Sequence, residues 1–302
     1  RDLHSFPTRR SSDLTNVSVA FVLISLFFIF KFGLKPGIDF RGGTLIEVSG
    51  ESLKDADIKN SLTELNLDSL SVQSTEKNSF IIRFSSDDDQ KNQQVQEKIK
   101  TLDNATVDRV EFISSVISDE LKKKAVVAVI IASIAITLYI AWAFRKVSYP
   151  VESWKYGGAA LISLLHDIVI TVGFFAFFGW KYGTEINTPF IAALLTILGY
   201  SINDTIVVFD RIRENLNRAG AKKDFENTVN RSINETLARS INTSLTVIMV
   251  LVTIILFGGE SIRDFSLALL IGITFGAYSS IFIASPLLVS VYYYKNKIIE
   301  SK

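Results

Sequence analysis

Six apolar runs, each long enough to cross a hydrocarbon layer, alternate with polar stretches along the chain. They fall at Leu14 to Phe32, Ala125 to Phe144, Gly157 to Trp180, Ile186 to Phe209, Ile241 to Phe257 and Phe265 to Tyr292. A hydrocarbon core of about 30 Å takes about 20 helical residues, so each run predicts a transmembrane helix. The first and fifth are the least generous.

Between the first two runs the pattern changes. From Gly33 to Leu121 it switches between period two and helical period. Thr44 to Val48 reads as a strand entered through the Gly42-Gly43 turn. Leu53 to Leu65 reads as an amphipathic helix with Leu53, Ile58, Leu62 and Leu65 as its buried stripe. Ser69 to Ser74 and Phe80 to Phe84 read as strands joined by a turn at Glu76 to Asn78. Lys91 to Leu102 predicts a second helix, and Thr106 to Ile113 a fourth strand. The order β-α-β-β-α-β is the ferredoxin-like arrangement, and this length of chain supports such a core without a disulfide. The fold class is therefore a polytopic α-helical membrane protein, with six transmembrane helices and one α+β ferredoxin-like periplasmic domain.

The basic residues orient it. Arg145, Lys146 and Lys155 lie between the second and third runs. Arg211, Arg213, Arg218, Lys222, Lys223, Arg231 and Arg239 lie between the fourth and fifth. The positive-inside rule places both loops and both termini in the cytoplasm; Lys122 to Lys124 disagree, but long translocated domains obey the rule weakly. The expected divisions are a tail at 1–13, a first span at 14–32, a periplasmic domain at 33–122, and a five-helix bundle at 123–302 with a cytoplasmic loop at 210–240. Arg1 to Asp13 fit no pattern that follows, and read as either a cytoplasmic tail or a foreign extension. No small-residue cleavage site follows the first run, which argues against a cleaved signal peptide.

Composition narrows the function. The 302 residues are 48% hydrophobic with a mean hydropathy of +0.30, as a membrane protein requires. A net charge of +1 leaves no basic excess for nucleic acid. Cysteine is absent and histidine occurs only at His4 and His166, which excludes thiolate and multi-histidine metal sites. There is no GxxxxGK[ST] loop, HExxH or GxSxG, so no ATPase or hydrolase chemistry is expected. Gly42-Gly43 is too short to cradle a phosphate.

Polar groups inside the spans are the informative residues, because an ionisable side chain at mid-membrane is costly. His166 and Asp167 fall near the middle of the third span, where Ser163, Asp167 and Thr171 share one helical face. Asp204 lies inside the fourth span beside Asn203, with Tyr200 and Ser201 on its face. Arg239 opens the fifth span, followed by Asn242, Thr243 and Thr246. A carboxylate beside an arginine suits a proton relay, although intramembrane polar pairs also hold helices together without further function. Gly272 and Gly276 form a GxxxG pair in the sixth span, which predicts close helix packing.

Three segments resemble the SecD/SecF family, of the resistance–nodulation–division (RND) superfamily. They are Gly37-Ile38-Asp39-Phe40-Arg41-Gly42-Gly43-Thr44 after the first span, Gly199 to Glu214 (GYSINDTIVVFDRIRE), and Asn234 to Ser244 (NETLARSINTS). The likeness runs from about Thr15 to Tyr294 and is closest to the SecF-type members. It implies an accessory subunit of the Sec protein translocase in the bacterial inner membrane. Such a subunit pairs with SecD, joins the SecYEG channel and YajC, meets SecA indirectly, and acts on preproteins amid membrane lipid. It implies no cofactor beyond a proton gradient, no metal and no catalysed reaction. Asp204 then resembles the family's proton-pathway carboxylate and Arg239 its basic partner. Two other readings stand beside this one: half of an RND-type small-molecule or lipid exporter, and a passive assembly scaffold.

Overall fold

The structure is a computed structural model that describes residues 11–50, 53–74, 79–86, 89–102, 105–145, 151–219 and 224–300. Arg1 to Arg10, the turn at Glu76 to Asn78, and Lys146, Lys222 and Lys223 of the basic loops lie outside them. In chain order the elements are α1 (Ser11–Phe32), α2 (Ile38–Arg41), β1 (Gly43–Ser49), α3 (Asp55–Thr63), β2 (Asp68–Ser74), β3 (Ser79–Ser85), α4 (Asp89–Lys100), β4 (Thr106–Ile113), α5 (Ser115–Ala143), α6 (Ser153–Tyr182), α7 (Thr188–Ala219), α8 (Phe225–Phe257), α9 (Glu260–Ser279), a π-helical turn (Ser280–Ala284) and α10 (Ser285–Glu300). They form two compact units. One comprises Lys35–Val127 with Glu185–Pro189; the other comprises Arg1–Leu34, Ala128–Thr184 and Phe190–Lys302.

The first unit carries a four-stranded sheet in the order β2-β3-β1-β4. Each neighbouring pair is antiparallel, which is the ferredoxin-like arrangement the periodicity predicts. Alternate side chains of β1 (Ile46, Val48) and β3 (Phe80, Ile82, Phe84) pack against Ile58 and Leu62 of α3 and Val95 and Ile99 of α4. Leu53 and Leu65, read as part of the same stripe, are partly buried at its margin. One polar pair enters this core: Thr44 Oγ1 donates to Asn92 Oδ1 at 2.9 Å.

The Gly42-Gly43 turn has a steric cause. Gly42 and Gly43 have φ of +77° and +136°, a region that L side chains rarely adopt. A Cβ on Gly43 would also lie 2.5 Å from Phe84 O on the neighbouring strand. The segment Glu185–Pro189 belongs to this unit as well. Gly37 N donates to Ile186 O at 2.7 Å, and Ile186 N donates to Lys35 O at 2.8 Å. Ile186 therefore does not open the fourth span, as its hydropathy suggests. The helix starts at Thr188, whose backbone N–H donates to Asp39 Oδ2 at 2.6 Å.

The second unit is helical. Among the described residues five stretches are long and apolar enough to span a bilayer: Ser115–Ala143, Ser153–Tyr182, Thr188–Arg218, Phe225–Phe257 and Ile262–Tyr294. A shorter apolar helix, Asn16–Phe32, accounts for the first run. The chain is a multi-pass membrane protein.

The segment 210–240 is largely helical rather than a loop, since α7 continues to Ala219 and α8 begins at Phe225. These extensions are amphipathic. Phe225, Val229 and Ile233 are buried with Phe209 and Ile212. On the polar side Glu235 accepts from Arg211 Nε at 2.6 Å, from Arg231 Nε at 2.8 Å and from Asn215 Nδ2 at 2.8 Å.

The sixth span is interrupted by the π turn at Ser280–Ala284. Pro286 has no N–H to offer the carbonyl one turn earlier, which disturbs the helical ladder there. Ser285 Oγ donates to Ser280 O at 3.3 Å, a side-chain bond inside the turn.

Candidate functional site

Asp167 is the fifteenth of the 30 residues of α6, at the helix midpoint, and is fully buried. A carboxylate so placed needs donors, and three helices supply them. Ser201 Oγ of α7 and Ser279 Oγ of α9 donate to Asp167 Oδ2 at 2.6 and 2.8 Å. His166 Nδ1 lies 3.0 Å from Oδ1. Ser163 Oγ donates to Ser279 Oγ at 2.9 Å, so the predicted α6 face of Ser163 and Asp167 does point inward. Thr171 shares that face but donates to the Asp167 backbone carbonyl at 2.8 Å.

The hydroxyls continue past Asp167. Ser280 Oγ, in the π turn, lies 2.8 Å from Thr205 Oγ1 and 3.2 Å from Ser201 O. Ser201 thus meets the Asp167 carboxylate with its side chain and the π turn with its backbone. One turn further along α7 is Asp204, buried and accepting from Ser244 Oγ of α8 at 3.3 Å. Tyr200 OH donates to Thr243 O at 2.9 Å and fixes α8 against the same stretch of α7.

Arg239 and Asn203 are placed differently from Asp204. Both are exposed, and among the described residues no ion pair within 4 Å joins Arg239 to Asp204. Five residues separate Arg239 from Ser244, which is about 140° of helical rotation. Arg239 thus acts on Asp204 as a charge at longer range rather than as a bonded partner. Asn242, Thr243 and Thr246 of α8 and Thr196 of α7 are exposed too.

The GxxxG pair packs as the spacing predicts. A Cβ on Gly272 would lie 2.2 Å from Ile197 Cδ1, and one on Gly276 2.9 Å from Ser201 Cβ. Gly276 thereby brings α9 close enough for Ser279 to reach Asp167.

Sequence reasoning identified Asp167, His166 and Asp204, but it assigned Ser201 to the Asp204 face. It did not single out Ser279 and Ser280, and Ser244 entered only as the end of the family-like segment Asn234 to Ser244. Their signal was faint, because serine is common in spans and usually bonds to its own helix.

Taken together, these features define a polytopic membrane protein with a small α+β unit and two buried mid-span carboxylates held by hydroxyls from neighbouring helices. Comparison with known proteins supplies the family. A profile described as protein export membrane protein SecD/SecF, C-terminal, matches residues 93–294, and one described as the SecD/SecF GG motif matches residues 27–51. The chain belongs to the SecD/SecF protein-export family.

Protein translocase subunit SecF of Sebaldella termitidis is 40% identical over 278 residues, covering 89% of this chain and 86% of that protein. The subunit of the same name from Thermobaculum terrenum is 40% identical over 300 residues, covering 92% and 93%. The crystal structure of SecDF, a translocon-associated membrane protein from Thermus thermophilus, superposes with a TM-score of 0.83 at 32% identity. It covers 98% of this chain, which spans 39% of the length of that SecDF chain.

Proposed function

We propose that this chain is the SecF-type subunit of the Sec translocase accessory machinery, a transport component driven by a proton gradient. The observation that carries the coupling is the pair of buried carboxylates, Asp167 and Asp204, on adjacent mid-span helix segments with hydroxyl partners. In hydrocarbon, a carboxylate is favoured either neutral or fully hydrogen-bonded. Gain or loss of a proton therefore changes which donors it holds. Asp167 draws its donors from α7 and α9, so its proton state acts on the packing of three helices. Asp204 acts likewise between α7 and α8. One elementary charge crossing the membrane potential releases about 2.3 kcal/mol per 100 mV, enough for a few protons to bias a conformational equilibrium.

Exposed Asn203, Arg239 and Asn242 support a second membrane chain as partner, because such groups are costly against lipid, whereas Thr196, Thr243 and Thr246 bond to carbonyls of their own helix. A SecD subunit fits this role, and Arg239 then acts across that interface. SecYEG, YajC and the preprotein complete the assembly, in the inner membrane with both termini cytoplasmic. The test is Asp204→Asn, expressed with the SecD partner in cells whose own copy is depleted. Preprotein maturation is expected to fall to the depleted level while the variant still copurifies with SecD. Normal maturation in that variant refutes proton coupling through Asp204.

A further inference from the structure

A groove of about 620 Å³ runs along the helical unit between α1, α6 and the α9–α10 span. Its walls are helical stripes. Ile162, His166 and Val169 line it from α6, while Phe282, Pro286 and Tyr293 line it from the sixth span. Val19, Leu23, Ile162 and Leu165 border it and are also exposed. In a bilayer the groove therefore opens sideways into lipid.

Its two ends are polar and unlike. At the deep end is His166, whose side chain is only 7% accessible. With Nδ1 on Asp167, its Nε2 has no hydrogen-bond partner among the described residues. At the mouth is Glu226, in the first turn of α8, which accepts from Tyr293 OH at 2.6 Å. The neighbouring Asp224 caps the same helix, accepting from Glu226 N at 3.1 Å and from Asn227 Nδ2 at 2.7 Å. The groove does not overlap the Asp204 end of the site.

We propose that this groove binds one phospholipid with an ammonium headgroup, its acyl chain against the α6 and α10 stripes and its ammonium at Glu226. Length supports the assignment. Phe282 to Tyr293 rises about 16 Å at 1.5 Å per residue, close to the roughly 15 Å of one leaflet's hydrocarbon. Volume supports it too, since small-ligand sites occupy about 300–1,000 Å³. Charge selects the headgroup: a carboxylate mouth attracts an ammonium and repels a net anionic lipid. The chain tip ends beside His166, so the bound lipid would also keep water from the Nε2 side of the Asp167 cluster.

The test uses the full chain purified with its membrane partner, delipidated, and offered phosphatidylethanolamine and phosphatidylglycerol with identical acyl chains. Native mass spectrometry counts the lipid retained. The expected result is one phosphatidylethanolamine per chain, favoured about fivefold over phosphatidylglycerol. Glu226→Gln should abolish the preference, and Val169→Trp, which fills the groove, should abolish retention of both lipids. Equal retention of the two lipids by the unaltered chain, or an undiminished preference in Glu226→Gln, overturns the proposal. If Val169→Trp fails to assemble, Leu165→p-benzoylphenylalanine decides the matter by photo-crosslinking. Adducts of phospholipid mass support the site, and adducts to protein alone show that a polypeptide fills the groove.

Discussion

The two units of this chain treat their polar side chains differently. In the α+β unit the core is formed by Ile46, Val48, Ile58, Leu62, Phe80, Ile82, Phe84, Val95 and Ile99, and the Thr44–Asn92 pair enters it. In the helical unit Ser163, Asp167, Ser201, Asp204, Ser244, Ser279 and Ser280 are buried, while Ile130, Ile131, Ile134, Leu138 and Trp142 of α5 are exposed. The rule is the same in both places. Each group goes to the medium that solvates it: water expels the isoleucines of the sheet, and lipid accepts those of α5 but expels the serines. Burial in the first unit is thus a measure of stability, whereas buried polar groups in the second are candidates for work.

The largest expected effect tests the first half of that contrast. Ile82→Ala removes a fully buried side chain opposite Ile46 on β1. It should cost about 2–5 kcal/mol, read as faster hydrogen exchange across 43–113 with 188–219 unchanged. The same truncation at Ile131, which is exposed on α5, should leave exchange as it was. Equal effects at the two sites would show that α5 is packed as tightly as the sheet.

The second prediction reverses the substitution. Ile131→Lys places an ammonium on an exposed face in the middle of the little-buried span α5 and should cost about 3 kcal/mol of insertion free energy, measured by the inserted fraction of α5 in microsomes. Glu97→Lys, on the exposed side of α4, should change the stability of its own unit by less than about 0.5 kcal/mol. An Ile131→Lys chain that inserts as readily as the original would place that face against protein or water.

These differences also explain how much of the molecule was legible in its sequence. The spans were readable because hydrocarbon imposes length and apolarity, and the β-α-β-β-α-β order because alternation marks half-buried strands. Hydropathy marked where the lipid stops, and so it missed the continuation of α7 past Phe209 and of α8 before Ile241, where Arg211, Arg231 and Glu235 pair in a wetter setting. It also read Ile186 as membrane, although its backbone pairs with the stretch at Lys35 to Gly37. Asp167 and Asp204 stood out because a charge in a span is rare. Their partners did not. Ser133, Ser163 and Ser279 look alike in sequence, yet Ser133 bonds back to Val129 O while Ser279 crosses to Asp167. The close approach allowed by Gly276, and the π turn before Pro286, decide which serine reaches across, and both are tertiary facts. The family likeness supplied Arg239 as a partner for Asp204; among the described residues the two share no ion pair within 4 Å, although the arginine's charge still acts on the carboxylate.

The smallest effect concerns that crossing. Ser201 and Ser279 donate to the same oxygen of Asp167, from α7 and from α9. Interhelical hydrogen bonds in membranes are worth about 0.6 kcal/mol on average and about 1.7 at most, so Ser201→Ala alone should cost about that much. The informative quantity is the double variant. If Oδ2 is satisfied by either hydroxyl, each single loss is partly covered by the other, and Ser201→Ala with Ser279→Ala should cost more than the sum of the two by about 0.5 kcal/mol or more. Additive losses would mean that the two serines act as separate packing contacts, with Asp167 a bystander to both. Non-additivity would mean that one carboxylate ties α6, α7 and α9 into a single unit. That is the property a proton needs if its arrival at one atom is to move three helices.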